Sequence, residues 1–107
     1  MEQRKFQRFS DNSLVIFSNG VVQGEGRLEN LSLGGAAIRS VLAIPQGTYL
    51  TMRITASAQP SAIQVELAPV RWVKDGSFGV EFIRMAPDSQ RRLKQYIDAL
   101  GNTSEAA

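Results

Sequence analysis

The stretch "LTMRITA", residues 50–56, decides the fold class of this chain of 107 residues. Apolar and polar side chains alternate along it without a break. The apolar members, which a strand places on one face, are Leu50, Met52, Ile54 and Ala56. A period of two is typical of a β-strand with one buried and one solvated face. The stretch therefore predicts a strand that contributes every second side chain to a core.

Similar short segments fill most of the remaining chain. They are SLVIFS (13–18), VVQGEGRLE (21–29), AAIRSV (36–41), AIQVEL (62–67) continued by VRWV (70–73), and FGVEFI (78–83). The dipeptides Asn19-Gly20 and Asp75-Gly76 are hairpin signals between them. About six evenly spaced strands predict an all-β fold, a small antiparallel barrel or rolled sheet that leaves few exposed edges.

Three residues predict irregularities in these strands. Gly24 and Gly26 indicate a bulge or a sharp bend in the second segment. Pro69 has no backbone N–H to donate, so it predicts an edge or a bulge where it interrupts the fifth segment. The alternation before it places Ile63, Val65 and Leu67 inward.

The end of the chain has the period of a helix. Pro87 and Asp88 suit its first turn, and Gly101 is a natural stop. Its apolar face, repeating at three and four residues, is Leu93, Tyr96, Ile97 and Leu100. We expect this face to pack on the barrel wall or over one mouth. The chain then forms one domain over 1–101, with a basic arm at 1–10 and a disordered tail at 102–107.

Composition excludes several classes of protein. The chain has no cysteine and no histidine, which rules out Cys/His zinc sites, thiol nucleophiles and Ser-His triads. It also has no acidic cluster for a metal and no Walker-type phosphate loop, so we expect no enzyme. No apolar run has the length needed to cross a bilayer, which predicts a cytosolic protein without a membrane partner.

The net charge of +2 is concentrated at the N-terminus. Residues 1–8 contain Arg4, Lys5 and Arg8 against the single acid Glu2, and the rest of the chain is neutral. Guanidinium groups grip phosphates and guanine edges through paired donors, and they stack on purines. Two arginines four positions apart on a short arm therefore indicate a local anion site. The alternative is that these N-terminal residues are simply exposed to solvent and bind no ligand.

A second polar stretch is "NLSLGG", residues 30–35. At the end of a strand, Asn30 and Ser32 point to the same side, where an amide and a hydroxyl can donate to phosphate or base atoms. Consecutive glycines allow a ligand to approach the backbone closely. The alternative is a polar turn in which these side chains bond their own backbone.

Taken together, the two stretches resemble the hallmark of the PilZ domain, a family of bacterial receptors for cyclic di-GMP. The family has R-x-x-x-R in an N-terminal arm and then [D/N]-x-S-x-x-G. This chain fills every defining position, from Arg4 to Arg8 and from Asn30 to Gly35. "FGVEF" (78–82) followed by a helix that starts at proline resembles the family's end. The resemblance covers about residues 2–100 and implies a six-stranded antiparallel β-barrel with a C-terminal α-helix.

The resemblance also implies roles for single residues. Arg4 and Arg8 would hold the phosphates and guanines of cyclic di-GMP, and Asn30 and Ser32 would contact a guanine. Gly35 would act by being small. Lys5 stands where the family often has a further arginine, so its charge is kept and the planar fork is lost.

Trp72, the only tryptophan, fits two interpretations. It is a core or barrel-to-helix residue, which we favour, or a stacking wall for one guanine, as in similar domains.

The resemblance implies a function as well. The arm would wrap the ligand onto the barrel, and the altered surface would be recognised by a protein partner in trans, with no other cofactor. The alternatives are a PilZ-like protein-interaction adaptor that binds no nucleotide and a single-stranded nucleic-acid module of the OB type. The second is disfavoured because few aromatic residues are available for stacking; we expect no nucleic acid polymer as partner.

Overall fold

The computed structural model describes residues 9–10, 13–55 and 62–105, with side chains for 13–55 and 62–99. The elements in chain order are β1 (Phe9–Ser10), β2 (Leu14–Ser18), β3 (Gln23–Leu31), β4 (Gly35–Arg39), β5 (Tyr49–Thr55), β6 (Ile63–Lys74), β7 (Ser77–Glu81) and α1 (Pro87–Glu105). Arg4, Lys5 and Arg8 lie outside the described residues.

Six of the strands close into an antiparallel barrel. The order β3-β2-β5-β6-β7-β4 returns to β3 through a β3–β4 pairing, so these six strands leave no free edge along most of their length. The two-residue β1 is added outside this circuit, against β3. The predicted six-stranded barrel with a C-terminal helix is confirmed.

The strand β5 shows the predicted alternation from Leu50 to Ile54, and Ala56 lies outside the described residues. Leu50, Met52 and Ile54 are buried, while the residues between them are exposed. Asp75 and Gly76 have positive φ angles of 51° and 82°, which is the geometry of the tight turn predicted between β6 and β7. Local sequence therefore determines both the strands and this hairpin.

The strand β6 is one continuous element that passes through Pro69. Its register shifts twice, once opposite Leu50–Met52 in β5 and once between Val70 and Trp72, opposite β7. Irregularity around Pro69 was predicted and is confirmed. The first shift turns Leu67 to a half-buried position and places Ala68 in the core, so the expectation that Leu67 points inward is wrong.

The bulge of β3 lies elsewhere than the glycines suggested. Its pairing with β2 is regular past Gly24 and Gly26, and the register shifts against β4 between Leu28 and Asn30, at Glu29. A Cβ on Gly24 would overlap the Leu42 side chain, and one on Gly26 would overlap the Arg39 carbonyl. These glycines are needed because neighbouring chain segments approach them closely, and the regular pairing shows that β3 has no bulge against β2 there.

The helix α1 begins at Pro87 as predicted and closes the core. Leu93, Tyr96 and Ile97 are buried in the same cluster as the inward residues of the barrel, which places the helix over an opening rather than on the outer wall. The Tyr96 hydroxyl lies 3.4 Å from Ser13 Oγ.

The prediction that α1 ends at Gly101 is wrong, because the helix continues to Glu105. Glycine inside a helix costs only about 1 kcal/mol, and no proline follows to enforce a stop.

No helix in the described ranges is both long and apolar enough for a membrane span.

Candidate functional site

The strand register aligns four residues in a row across four neighbouring strands. Asn30 of β3 pairs with Ala37 of β4, Ala37 pairs with Gly79 of β7, and Gly79 pairs with Trp72 of β6. Directly paired residues of an antiparallel sheet point to the same face. Three inter-strand spacings of about 4.8 Å each separate the ends of this row by roughly 14 Å.

This row lies on the outer face of the barrel. The positions next to Asn30, Ala37 and Gly79 along their strands are Leu31, Ala36 and Val80, which all belong to the core. Because side chains alternate between the faces of a sheet, the row must face outward. Its two middle members carry almost no side chain, so Asn30 and Trp72 stand at the ends of a shallow floor.

Trp72 packs flat against that floor. Its side chain is 39% exposed, and a Cβ on Gly79 would overlap the indole Nε1. The preferred interpretation was a core or barrel-to-helix residue, and its core part is therefore wrong. The physical reason is the bulge at Arg71, since strict alternation after the buried Val70 would have turned Trp72 inward.

Ser32 is engaged in the turn that follows β3. Its hydroxyl accepts a hydrogen bond from the Gly34 N–H at 3.2 Å and donates to the Gly35 carbonyl at 3.3 Å. Its own backbone N–H also donates to the Gly35 carbonyl, at 2.9 Å, and the residue is only 2% exposed. The Ser32 hydroxyl, which we expected to contact a ligand, thus fixes the backbone conformation beside the site.

The strand pairing of the barrel excludes a side chain at position 35. Gly35 pairs with Glu81 of β7, and a Cβ at this position would overlap the Val80 carbonyl. A backbone group cannot move aside as a flexible side chain can, so only glycine allows β4 and β7 to pair here. Gly35 itself is buried, and it presents no side chain next to Glu81.

Glu29, which the sequence analysis did not single out, holds the bulge that precedes Asn30. Its carboxylate accepts hydrogen bonds from Arg39 Nε and Ser77 Oγ, both at 2.8 Å. These contacts tie β3 to β4 and β7 next to the row. The only sequence signal was a charged residue within a predicted strand, which does not indicate such a network.

A second ion pair flanks the other side of the row. Arg71, at the β6 bulge, and Glu81, at the end of β7, are joined on the outer surface, with Arg71 Nε 2.9 Å from Glu81 Oε1. The charge of Arg71 is therefore paired in the structure.

The N-terminal arm starts at this site. Ser10 pairs with Asn30 and Phe9 with Leu31. The structure thus brings together Asn30, Ser32, Gly35 and Trp72 on adjacent strands, beside the last residues of the arm. Arg4, Lys5 and Arg8, predicted as ligand contacts, lie beyond the described range.

A groove of about 500 Å³ lies next to the turn that follows β3. It contains Leu33 of that turn and is otherwise lined by Phe82, Ile83, Met85, Pro87, Gln90, Arg91, Leu93 and Lys94. Neither Asn30 nor Trp72 lines it, so the row is an open face rather than part of this groove. Within the ranges described, no three acidic side chains are grouped so that they could hold a metal ion.

Comparison with known families gives one match over nearly the whole chain. The model of the PilZ domain matches residues 2–99. No curated protein sequence is significantly similar to the chain.

Solved structures share the fold at low identity. The inhibitor of motility MotI/DgrA from Bacillus subtilis is 23% identical with a TM-score of 0.70, over 90% of this chain and 50% of that one. YcgR from Escherichia coli, in complex with c-di-GMP, is 17% identical with a TM-score of 0.80, over 99% of this chain and 49% of that one. The chain therefore spans about half the length of these two proteins.

An isolated domain matches along its whole length. The PilZ domain of CeSA from a cellulose-synthesizing bacterium is 16% identical with a TM-score of 0.68, over 89% of this chain and 98% of that one.

Proposed function

This chain belongs to the PilZ domain family, and from that premise we propose that it is a receptor for cyclic di-GMP that acts as an adaptor on a protein partner. The ligand is bound between the basic arm and the outer face of the barrel. Every position of both family motifs is filled, from Arg4 to Arg8 and from Asn30 to Gly35. YcgR, which shares the fold, was solved with c-di-GMP bound.

The pairing of Ser10 with Asn30 is the observation that carries this proposal. It joins the two motifs, because Arg8 is only one peptide away from Phe9, whose partner is Leu31. Consecutive Cα atoms lie about 3.8 Å apart, and four further residues span at most roughly 14 Å. Both arginines of the arm are therefore within reach of the row from Asn30 to Trp72.

The residues of the row supply complementary chemistry. Asn30 offers an amide to a guanine edge at one end, and the exposed indole of Trp72 offers a stacking surface at the other. Arg4 and Arg8 neutralise the phosphates through charge-assisted hydrogen bonds, with Lys5 as an added point charge. Ser32 and Gly35 contribute chiefly by fixing the turn beside Asn30.

The same parts account for a ligand-dependent signal. Ordering the arm costs roughly 1–2 kcal/mol per residue, and hydrogen bonds to charged groups contribute about 1.5–3 kcal/mol each. A few such bonds offset the cost for a short arm, so its conformation depends on the ligand. The closed arm and the covered face then form the surface that the partner recognises.

Isothermal titration calorimetry of cyclic di-GMP tests the site. The Arg8→Ala variant is expected to bind roughly 10- to 100-fold more weakly than the wild type, because a charge-assisted contact is lost. Arg53→Ala is the matched control, since Arg53 is an exposed arginine of β5 outside the proposed site. The stoichiometry also distinguishes one bound ligand from a stacked pair.

Undiminished binding by Arg8→Ala would refute the arm's assignment. A wild type that does not bind at all would instead favour the alternative, a PilZ adaptor without nucleotide. Arm closure is tested separately by NMR: the relaxation of the amides of residues 1–8 should show less fast motion with saturating ligand than without it, and unchanged relaxation contradicts the closing arm.

A further inference from the structure

The ion pair between Arg71 and Glu81 uses only one oxygen of the glutamate. Arg71 Nε lies 2.9 Å and its second nitrogen, Nη2, 2.8 Å from the same atom, Glu81 Oε1. No other donor of the described residues contacts Oε2. The side chains are 55% and 52% exposed, so the arginine fixes the carboxylate while its second oxygen stays open to solvent.

The position of Glu81 places that open oxygen at the proposed site. Glu81 is two residues beyond Gly79 in β7, so it projects from the same outer face. Gly79 pairs with Trp72, which makes Glu81 a diagonal neighbour of the indole at roughly 7–8 Å. On its other side, the partner Gly35 has no side chain, so no side chain of β4 projects next to the carboxylate at this level of the sheet.

We propose that Glu81 is the residue that selects guanine over other bases, an inference that rests on the proposed function. A carboxylate only accepts hydrogen bonds. Guanine presents the adjacent donors N1–H and N2–H₂, whereas adenine places the acceptor N1 at that edge and hypoxanthine lacks the exocyclic amine. A guanine stacked near Trp72 would direct its donor edge at Oε2.

Arg71 has a separate part in this arrangement. A bare carboxylate would repel the two phosphates of the ligand, and the adjacent guanidinium compensates its charge. A half-exposed ion pair adds little to stability, so its removal should leave the fold intact. Arg71 thus compensates the charge of Glu81, and the contact to the base is assigned to the glutamate alone.

Calorimetry with two ligands and four proteins tests this inference. The ligands are cyclic di-GMP and cyclic di-IMP, which differ only by the exocyclic amine. The proteins are the wild type, Glu81→Gln, Arg71→Gln and the control Glu66→Gln, an exposed glutamate of β6. Glu81→Gln should bind cyclic di-GMP roughly 10- to 100-fold more weakly, the effect of losing a hydrogen bond to a charged group.

The preference between the ligands is the decisive quantity. The wild type should prefer cyclic di-GMP, and Glu81→Gln should lose most of that preference, while Arg71→Gln and Glu66→Gln keep it. Equal weakening for both ligands in Glu81→Gln, or unchanged binding, overturns the inference and leaves the proposed function standing. A wild type that binds both ligands equally overturns it without any variant, and a wild type that binds neither overturns the proposed function itself.

Discussion

Two glycines border the candidate site, and a side chain is excluded at each of them for a different reason. A Cβ on Gly35 would overlap the backbone carbonyl of Val80, whereas one on Gly79 would overlap the ring of Trp72. The carbonyl is fixed in the sheet, but the indole is 39% exposed and can lift away. Glycine at position 35 is therefore needed for the strands to pair, whereas glycine at position 79 determines the orientation of the Trp72 ring.

The substitution Gly35→Ala should lower the free energy of unfolding by roughly 1–3 kcal/mol, as overpacking does. Gly79→Ala should cost less than about 1 kcal/mol and shift the emission of Trp72 as the ring becomes more solvated. Urea unfolding and fluorescence measure both effects. Equal losses of stability in the two variants would contradict this distinction.

Ser32 is the motif residue whose role the structure changes most. Its buried hydroxyl has two partners in the turn, so we predict that Ser32→Ala lowers the free energy of unfolding by about 1 kcal/mol without any ligand. Thr55→Ala, at an exposed hydroxyl of β5, is the control. A ligand-free Ser32→Ala protein as stable as the wild type would restore a purely ligand-binding role.

Among the elements, β6 has the largest effect on the site. Two register shifts within its twelve residues change which side chains point inward. The first replaces Leu67 by Ala68 in the core, and the second turns Trp72 outward. The outer face between Asn30 and Trp72 therefore exists in this form because β6 is irregular.

The helix α1 offers a test at the same scale. Because it continues through Gly101 to Glu105, Gly101→Ala should raise the free energy of unfolding by about 0.5–1 kcal/mol, the usual gain for alanine in a helix interior. Thermal unfolding followed by circular dichroism measures this. A loss of stability would mean that Gly101 ends the helix in a left-handed conformation after all.

At the scale of the whole molecule, we propose that the barrel is the scaffold and the arm is the binding element. Among the side chains that the structure describes, the core cluster runs from Val15 to Ile97, and the barrel closes through the β3–β4 pairing. The net charge of the chain is contributed by residues 1–8. Changes in the barrel should therefore alter the stability of the protein, and changes in residues 1–8 should alter its affinity for the ligand.

A variant lacking residues 1–8 should keep the melting temperature of the ligand-free protein within a few degrees. Its affinity for cyclic di-GMP should fall at least roughly 100-fold, since two charge-assisted contacts are removed together. Calorimetry and thermal unfolding of the same sample give both values. A truncated protein that binds as tightly as the full chain would place the ligand on the barrel alone.

The predictions that came true from the residues rest on local physics. The alternation in β5 depends only on whether each side chain is apolar or polar. The hairpin at Asp75-Gly76 depends only on residues that tolerate positive φ. The start of α1 at Pro87 is equally local. These signals were enough for the strands, their antiparallel order and the helix, and the two motifs were enough to select Asn30, Ser32 and Gly35 as candidates.

The remaining features depend on contacts between segments far apart in the chain. The bulges at Glu29 and Arg71 arise from how neighbouring strands fit, so alternation along one strand wrongly turned Trp72 inward. The overlap that excludes a side chain at Gly35 comes from Val80, which lies 45 positions later. A period of two is a property of single strands, whereas register and bulges are properties of pairs, and it is the pairs that bring Asn30, Glu81 and Trp72 onto one face.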